Sequence, residues 1–201
     1  MNLSRNSEKK LRRTIIHIFS GIIIMLLIIF YEQAILLLFF IFIVGIILSV
    51  ISFSVRIPVI CYFLDSCELE RNKKFPGKSA LFMLAGSLIV AKFLPPNIAL
   101  ASIAILTFAD PVSHFASKIS KKRYKVKLLN INKNHYGTIC GMIVAFLAAI
   151  FFIPVKYAIP AAIVSMLAES LFIQIKEDSI DDNLIIPLVA AATILIFSKI
   201  F

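Results

Sequence analysis

The sequence predicts an all-α fold, a polytopic transmembrane helical bundle of about seven spans with a cytoplasmic N-terminus. Three observations predict it. Hydrophobic residues make up 60% of the 201-residue chain and charged ones only 16%, whereas a soluble domain is about half apolar and a quarter charged. Apolar runs of bilayer-crossing length recur throughout, so residues 1–201 are expected to form a single membrane-embedded domain. The cations are one-sided. With the N-terminus inside, segments 1–13, 54–78, 118–135 and 176–182 all face the cytoplasm and hold 18 of the 21 Lys and Arg. The other three are Lys92, Lys156 and Lys199. This alternation follows the positive-inside rule, and one missed span would break it.

The elements follow in order. The basic start, residues 1–13, leads into a first span at Thr14–Tyr31. No small-residue cleavage site follows that run, so it reads as a retained helix and not a removed signal peptide. Glu32 and Gln33 turn the chain into a second span, Ala34 to about Phe53. Arg56–Leu64 is apolar but too short to cross and carries Pro58, which suggests an interfacial or re-entrant piece. The third span, Lys78–Leu94, stops at Pro95-Pro96, and Asn97 is the expected N-cap of a fourth that runs to about Ser117. A basic loop covers Lys118–Asn134. The fifth span is Tyr136–Ile153, ended by Pro154, and the sixth is Tyr157–Ile175. The seventh begins at Asn183.

A net charge of +10 would suggest nucleic acid in a soluble protein. Here cytoplasmic anchoring and anionic lipid head groups account for it, and no base-reading module is present. Cys61, Cys67 and Cys140 have no metal-site spacing and read as structural thiols. No repeat of 20–50 residues supports an inverted-repeat transporter.

Ionisable residues inside spans are costly, by about 2.5–3.5 kcal/mol on insertion scales, and therefore mark candidate sites. Asp110 lies about seven residues, roughly 10 Å of helix, from the inner end of the fourth span. Glu169 lies at a similar depth in the sixth. Two carboxylates at matching depth suit a hard cation such as Mg²⁺, with a hydrogen-bonded structural pair as the alternative. His17 follows Arg12 and Arg13 one turn into the first span. Pro76-Gly77-Lys78-Ser79 opens the third span, where a helix N-terminus presents free N–H groups and a positive dipole end to an anion. The upstream glycine of a Walker loop is missing. Lys133-Asn134-His135-Tyr136-Gly137-Thr138 opens the fifth span with the same mix of Lys, Gly and hydroxyl. The bland alternative is two snorkelling lysines. Asp181-Asp182-Asn183 at the seventh span suits ordinary N-terminal capping and lies on the same face.

In this order, the pieces resemble the CTP-dependent lipid alcohol kinases: dolichol kinase, phytol kinase and the CTP-using diacylglycerol kinase, relatives of the CDP-diacylglycerol synthases. The likeness runs from about Arg12 to Val189. Arg12-Arg13-x3-His17 resembles the family's basic start, and Pro76-Gly77-Lys78-Ser79 its PGKG. Asp110-x2-Ser113-x2-Ala116-Ser117 resembles GDxxASxxG, and Lys133 to Thr138 resembles KSxEGS/T. Ala168-Glu169 with Asp182-Asn183-Leu184-x2-Pro187-Leu188 resembles AE…DNLxxPL, the most specific match. The chain departs from the pattern at Ala109 and Ser117 (Gly in the family), Tyr136 (Glu) and Ser79 (Gly), which bears on substrate and nucleotide preference.

The resemblance implies a membrane enzyme that transfers the γ-phosphoryl group of CTP to a lipid alcohol at the cytoplasmic face and releases CDP. It implies Asp110, Lys78 and Lys133 as catalytic residues. Arg13, His17, Pro76, Gly77, Lys78, Ser79, Lys133, Gly137, Thr138 and Asn183 would bind nucleotide, and Asp110, Glu169 and Asp182 would hold Mg²⁺. Asp110 as the base toward the alcohol is the other role left open. The expected partners are CTP, the lipid alcohol and membrane lipids, in the cell membrane of a prokaryote or an endoplasmic-reticulum-like membrane of a eukaryote. Three rivals stand beside it: a CDP-lipid synthase type cytidylyltransferase, which releases pyrophosphate; an ion-coupled transporter, whose acids would approach the midplane; and an inactive lipid-binding relative.

Overall fold

The computed structural model describes residues 2–54, 77–119, 124–126, 131–133, 135–172 and 181–200. They form seven helices: α1 (Asn2–Phe30), α2 (Ala34–Ser54), α3 (Lys78–Phe93), α4 (Pro96–Ile119), α5 (His135–Ala149), α6 (Val155–Phe172) and α7 (Asp182–Ile200). They match the seven expected helices in order. Four contain stretches long and apolar enough to cross a membrane: Leu11–Phe30, Ala34–Ser52, Pro96–Ser117 and Asp182–Ile200. This is consistent with an integral membrane protein. The shortest helix, α5, has 15 residues, which rise about 22 Å against a hydrocarbon core of about 30 Å. The expected interfacial piece, Arg56–Leu64, lies outside the described residues.

The loop expected between the fourth and fifth helices contains a short antiparallel hairpin. Its strands are β1 (Tyr124–Val126) and β2 (Ile131–Lys133), with Tyr124 opposite Lys133. The bundle is all-α as expected, and the hairpin is the addition.

Local chemistry sets the boundaries. Leu94 is extended at the end of α3 (φ −123°, ψ 156°), because a following proline disfavours helical geometry. The next helix starts at Pro96, with the Pro95 carbonyl accepting the Ala99 N–H at 3.0 Å. The fixed φ of proline suits a first helical position, so the cap falls at Pro95 and not at Asn97. The fifth helix ends at Ala149, four residues before the expected Ile153. The Ala149 carbonyl accepts N–H groups of Phe152 and Ile153 at 3.0 and 3.1 Å. Pro154 then caps α6, its carbonyl accepting from Tyr157 and Ala158 at 2.9 and 3.1 Å. The proline thus starts a helix instead of stopping one. At α7, Asp181 Oδ1 accepts the Asn183 N–H at 3.2 Å, the side-chain cap that the sequence predicts for this acidic stretch.

The core runs along α4, which packs against α1, α3, α5 and α7. Every residue from Ile98 to Thr107 is buried, as are Ala109 and Asp110. Helices α4 and α5 meet through small residues. A Cβ on Gly137 would collide with the Ser117 hydroxyl and come within 2.7 Å of the Ser113 carbonyl oxygen. One turn on, a Cβ on Gly141 would strike Met166 and lie 3.1 Å from Ser113 Cβ. Small residues four apart on both helices let the backbones approach closely, as in membrane helix pairs. That contact sets α5 and α6 beside the part of α4 that carries Asp110.

Candidate functional site

The site begins with the spacing on α4. Asp110, Ser113 and His114 stand at i, i+3 and i+4, which places them on one face. Opposite them, α6 supplies Glu169. Asp110 and Glu169 are only 6% and 3% exposed. Ser113 Oγ donates to Glu169 Oε1 at 2.9 Å, which fixes that carboxylate. His114 Nε2 lies 3.2 Å from Asp110 Oδ1, an ion-pair distance. Neither Asp110 Oδ1 nor Glu169 Oε2 is aligned with any hydrogen-bond donor among the described residues, although both are buried. Ligand atoms of Asp110, His114 and Glu169 all lie within 4.8 Å of one another. Two carboxylates this close repel unless a proton or a cation lies between them.

Pro111 follows Asp110 inside α4. It lacks an N–H, so the Thr107 carbonyl loses its usual helical donor, and the ring crowds that carbonyl. Prolines are tolerated in membrane helices where neighbouring groups satisfy the freed backbone. From α1, His17 Nε2 donates to the adjacent Leu106 carbonyl oxygen at 3.3 Å. The same nitrogen is 3.9 Å from Asp110 Oδ2.

A second cluster adjoins the first. Arg13, one turn before His17 on α1, donates to Ser79 Oγ at 3.4 Å. Ser79 Oγ donates to Asp181 Oδ2 at 3.3 Å, and Asn183 Nδ2 donates to the Ser79 carbonyl oxygen at 3.0 Å. The N-terminal ends of α3 and α7 are therefore bound together, with a guanidinium over the junction. Gly77 precedes α3 in the left-handed region at φ 77°, a conformation that favours glycine, and among the described residues nothing lies within 4 Å of where its Cβ would be. A helix N-terminus presents N–H groups of the kind that bind anions.

The structure brings six of the thirteen predicted residues into these two clusters and two more beside them. Asp110, Glu169 and His17 belong to the first, and Arg13, Ser79 and Asn183 to the second, with Gly77 and Lys78 beside it. The Lys78 ammonium lies 5.7 Å from the centre of the Phe82 ring. Asp182 occupies the first turn of α7 and is outside the convergent Asp–His–Glu group, although its charge acts on His114 and Glu169. The Gly137 Cα is occupied by packing on Ser117, and Thr138 next to it is half-buried. Lys133 belongs to β2 by its backbone, but its side chain, like Pro76, is outside the described residues.

Sequence reading missed three residues. His114 had a legible signal, its i+4 spacing from Asp110. Pro111 was visible as a proline inside an apolar run. Asp181, expected only as part of a capping stretch, also joins the cluster through Ser79. The family departures at Ser79 and Ser117 acquire local roles: the first hydroxyl links Arg13 to Asp181, and the second is the surface against which Gly137 packs.

The chain matches no family model, no curated protein and no solved structure.

Proposed function

We propose that this protein is a CTP-dependent lipid alcohol kinase of seven membrane spans, with its N-terminus and active site on the cytoplasmic side. The observation that carries the reading is the pairing of two unlike clusters by one turn of α1. A dicarboxylate–imidazole group lies beneath His17, and a cationic, N–H-rich junction of helix starts lies at Arg13. Phosphoryl transfer needs positioning and charge neutralisation more than covalent chemistry, and the two clusters offer those separately. The motif resemblance supplies the nucleotide and the acceptor class.

In this reading the polyphosphate of CTP lies at the α3 and α7 starts, near Gly77, Lys78, Arg13 and Asn183. Lys133, Gly137 and Thr138 approach from the fifth helix. A hydroxyl of a membrane lipid attacks the γ-phosphorus and gives up its proton to solvent. The bond from that phosphorus to the β–γ bridging oxygen breaks, and CDP leaves with the oxygen. Asp110 and Glu169 would hold a divalent cation, because each presents a buried carboxylate oxygen to the same space and that of Glu169 has no donor among the described residues. Such an ion neutralises charge on the phosphates when bound. Asp182, one helix start away, adds negative charge on the same side.

Purified protein supplied with CTP, Mg²⁺ or Mn²⁺, and a panel of polyprenol-, phytol- and diacylglycerol-like alcohols tests the proposal. Phosphorylated lipid with stoichiometric CDP is expected. Pyrophosphate with a CDP-lipid, formed from a phosphorylated lipid, would instead identify a cytidylyltransferase. No turnover on any acceptor, combined with ion flux through proteoliposomes, would identify a transporter.

A further inference from the structure

We infer that Asp110, His114 and Glu169 form a three-ligand site for a first-row transition divalent cation, held in preference to Mg²⁺ because His114 donates a nitrogen. The inference shares two carboxylates with the proposed function. It rests on the donor geometry alone and stands or falls without CTP.

The geometry is that of a built site. Asp110 and His114 are four residues apart on α4, so both side chains project from one helical face toward Glu169 on α6. Their ligand atoms converge to within 4.8 Å of one another. Glu169 is held by Ser113 through Oε1, which leaves Oε2 buried and without a donor among the described residues. Asp110 Oδ1 is buried as well, and the group nearest it is His114 Nε2 at 3.2 Å, itself a member of the convergent set. Two buried carboxylate oxygens thus meet beside an imidazole nitrogen, and one of them, Glu169 Oε2, has no donor among the described residues. A cation satisfies all three at once.

The donor set decides the class of ion. Mg²⁺ prefers oxygen ligands in near-ideal octahedral geometry and keeps several waters. Imidazole suits borderline transition ions, whose affinity for nitrogen and oxygen sites rises from Mn²⁺ upward through the divalent series. One nitrogen with two carboxylates therefore favours those ions over Mg²⁺, and leaves positions open for water or a phosphate oxygen. His17 is a different kind of histidine. Its Nε2 is taken up by the Leu106 carbonyl oxygen, and it lies outside the convergent group.

Mn²⁺, the weakest binder of that series, gives the most stringent test and a spectroscopic signal. Nucleotide-free protein in detergent is titrated with Mn²⁺ by electron paramagnetic resonance, with Mg²⁺ as competitor, and bound ¹⁴N is read by electron spin-echo modulation. One tightly bound Mn²⁺ per chain is expected, displaced by Mg²⁺ only in large excess and carrying imidazole nitrogen coupling. Changing even an outer-shell partner of a metal typically costs ~10–100-fold in affinity, so His114→Gln should weaken Mn²⁺ by at least that much. It should also abolish the nitrogen signal and narrow the gap to Mg²⁺. His17→Gln should keep the nitrogen signal. His114 is 46% exposed in its side chain, so its replacement should not disturb folding, and circular dichroism checks this. A bound ion without nitrogen coupling, equal competition by Mg²⁺, or unchanged Mn²⁺ affinity in His114→Gln would each overturn the inference. Failure of the kinase assay alone would leave it standing.

Discussion

Helices α2 and α4 are both apolar and both long enough to cross a bilayer, yet they are built for opposite surroundings. Helix α2 is almost purely aliphatic and aromatic, and it turns Leu36, Phe39, Phe40, Ile43, Ile47 and Val50 outward. Helix α4 carries Ser102, Thr107, Asp110 and Ser113 and buries all four. The more polar helix is the more buried one. In water that order would be costly, because burial of apolar surface drives folding. In hydrocarbon the outside is itself apolar, and polar groups are retained where neighbouring helices satisfy them. On α4 they do so locally: Ser102 Oγ donates to the Ile98 carbonyl oxygen at 2.8 Å, and Thr107 Oγ1 to that of Ile103 at 2.7 Å. The contrast therefore supports a lipid environment by an argument separate from length and composition.

Five substitutions break or sharpen this contrast. The largest effect belongs to Asp110→Asn. Loss of a preorganised charge commonly costs ~10²–10³-fold in rate, so CTP-dependent lipid phosphorylation should fall by at least that factor, with helical circular dichroism and detergent elution unchanged. Retained activity would remove Asp110 from the chemistry.

Next comes close packing on the polar helix. Gly137→Ala forces a methyl group into the Ser117 hydroxyl and the Ser113 backbone, and overpacking of this kind typically costs about 1–3 kcal/mol. Gly45→Ala, on the apolar α2, meets only the end of the Leu81 side chain at 2.8 Å and should cost little. Denaturation curves in mixed micelles compare the two, and equal stability would mean that α4 and α5 are not pressed together here.

A gentler probe uses the absence of tryptophan from the chain. Phe40→Trp on the outer face of α2 should change stability by no more than about 0.5 kcal/mol, as is usual for exposed positions. Its fluorescence should be quenched by brominated lipid tails and not by aqueous iodide. Quenching by iodide would put α2 in water. The smallest effect is expected at Ser87 on α3, whose buried hydroxyl has no hydrogen-bond partner among the described residues. Removing an unsatisfied hydroxyl is near-neutral or stabilising, so Ser87→Ala should leave the unfolding midpoint level or raise it slightly.

The order of helices was legible because apolar runs and charge alternation are properties of single segments. Asp110 and Glu169 were legible for a similar reason, since an acid in an apolar run stands out without a partner. The boundaries at Asn97 and Ile153 were less so. A proline can end one helix or begin another, and which it does depends on the turn that the whole chain makes. The hairpin at Tyr124–Val126 and Ile131–Lys133 was hidden by its Lys-rich composition. The joining of Arg13, Ser79, Asp181 and Asn183 spans three helices and follows from packing, which no local pattern encodes. His114 falls between the two cases, because its spacing from Asp110 is local but its meaning depends on Glu169 arriving from α6.

The arrangement of Arg13 and His17 has a mechanical consequence. They are four residues apart, so α1 holds its two contacts about 6 Å apart along its axis. One contact is to the Ser79 junction and the other to the Asp110 carboxylate. The first helix therefore works as a gauge rod. Its pitch, more than any single bond, sets the spacing between the two clusters. One residue inserted between positions 13 and 17 would turn one contact by about 100° and uncouple them, with every side chain of both clusters still present.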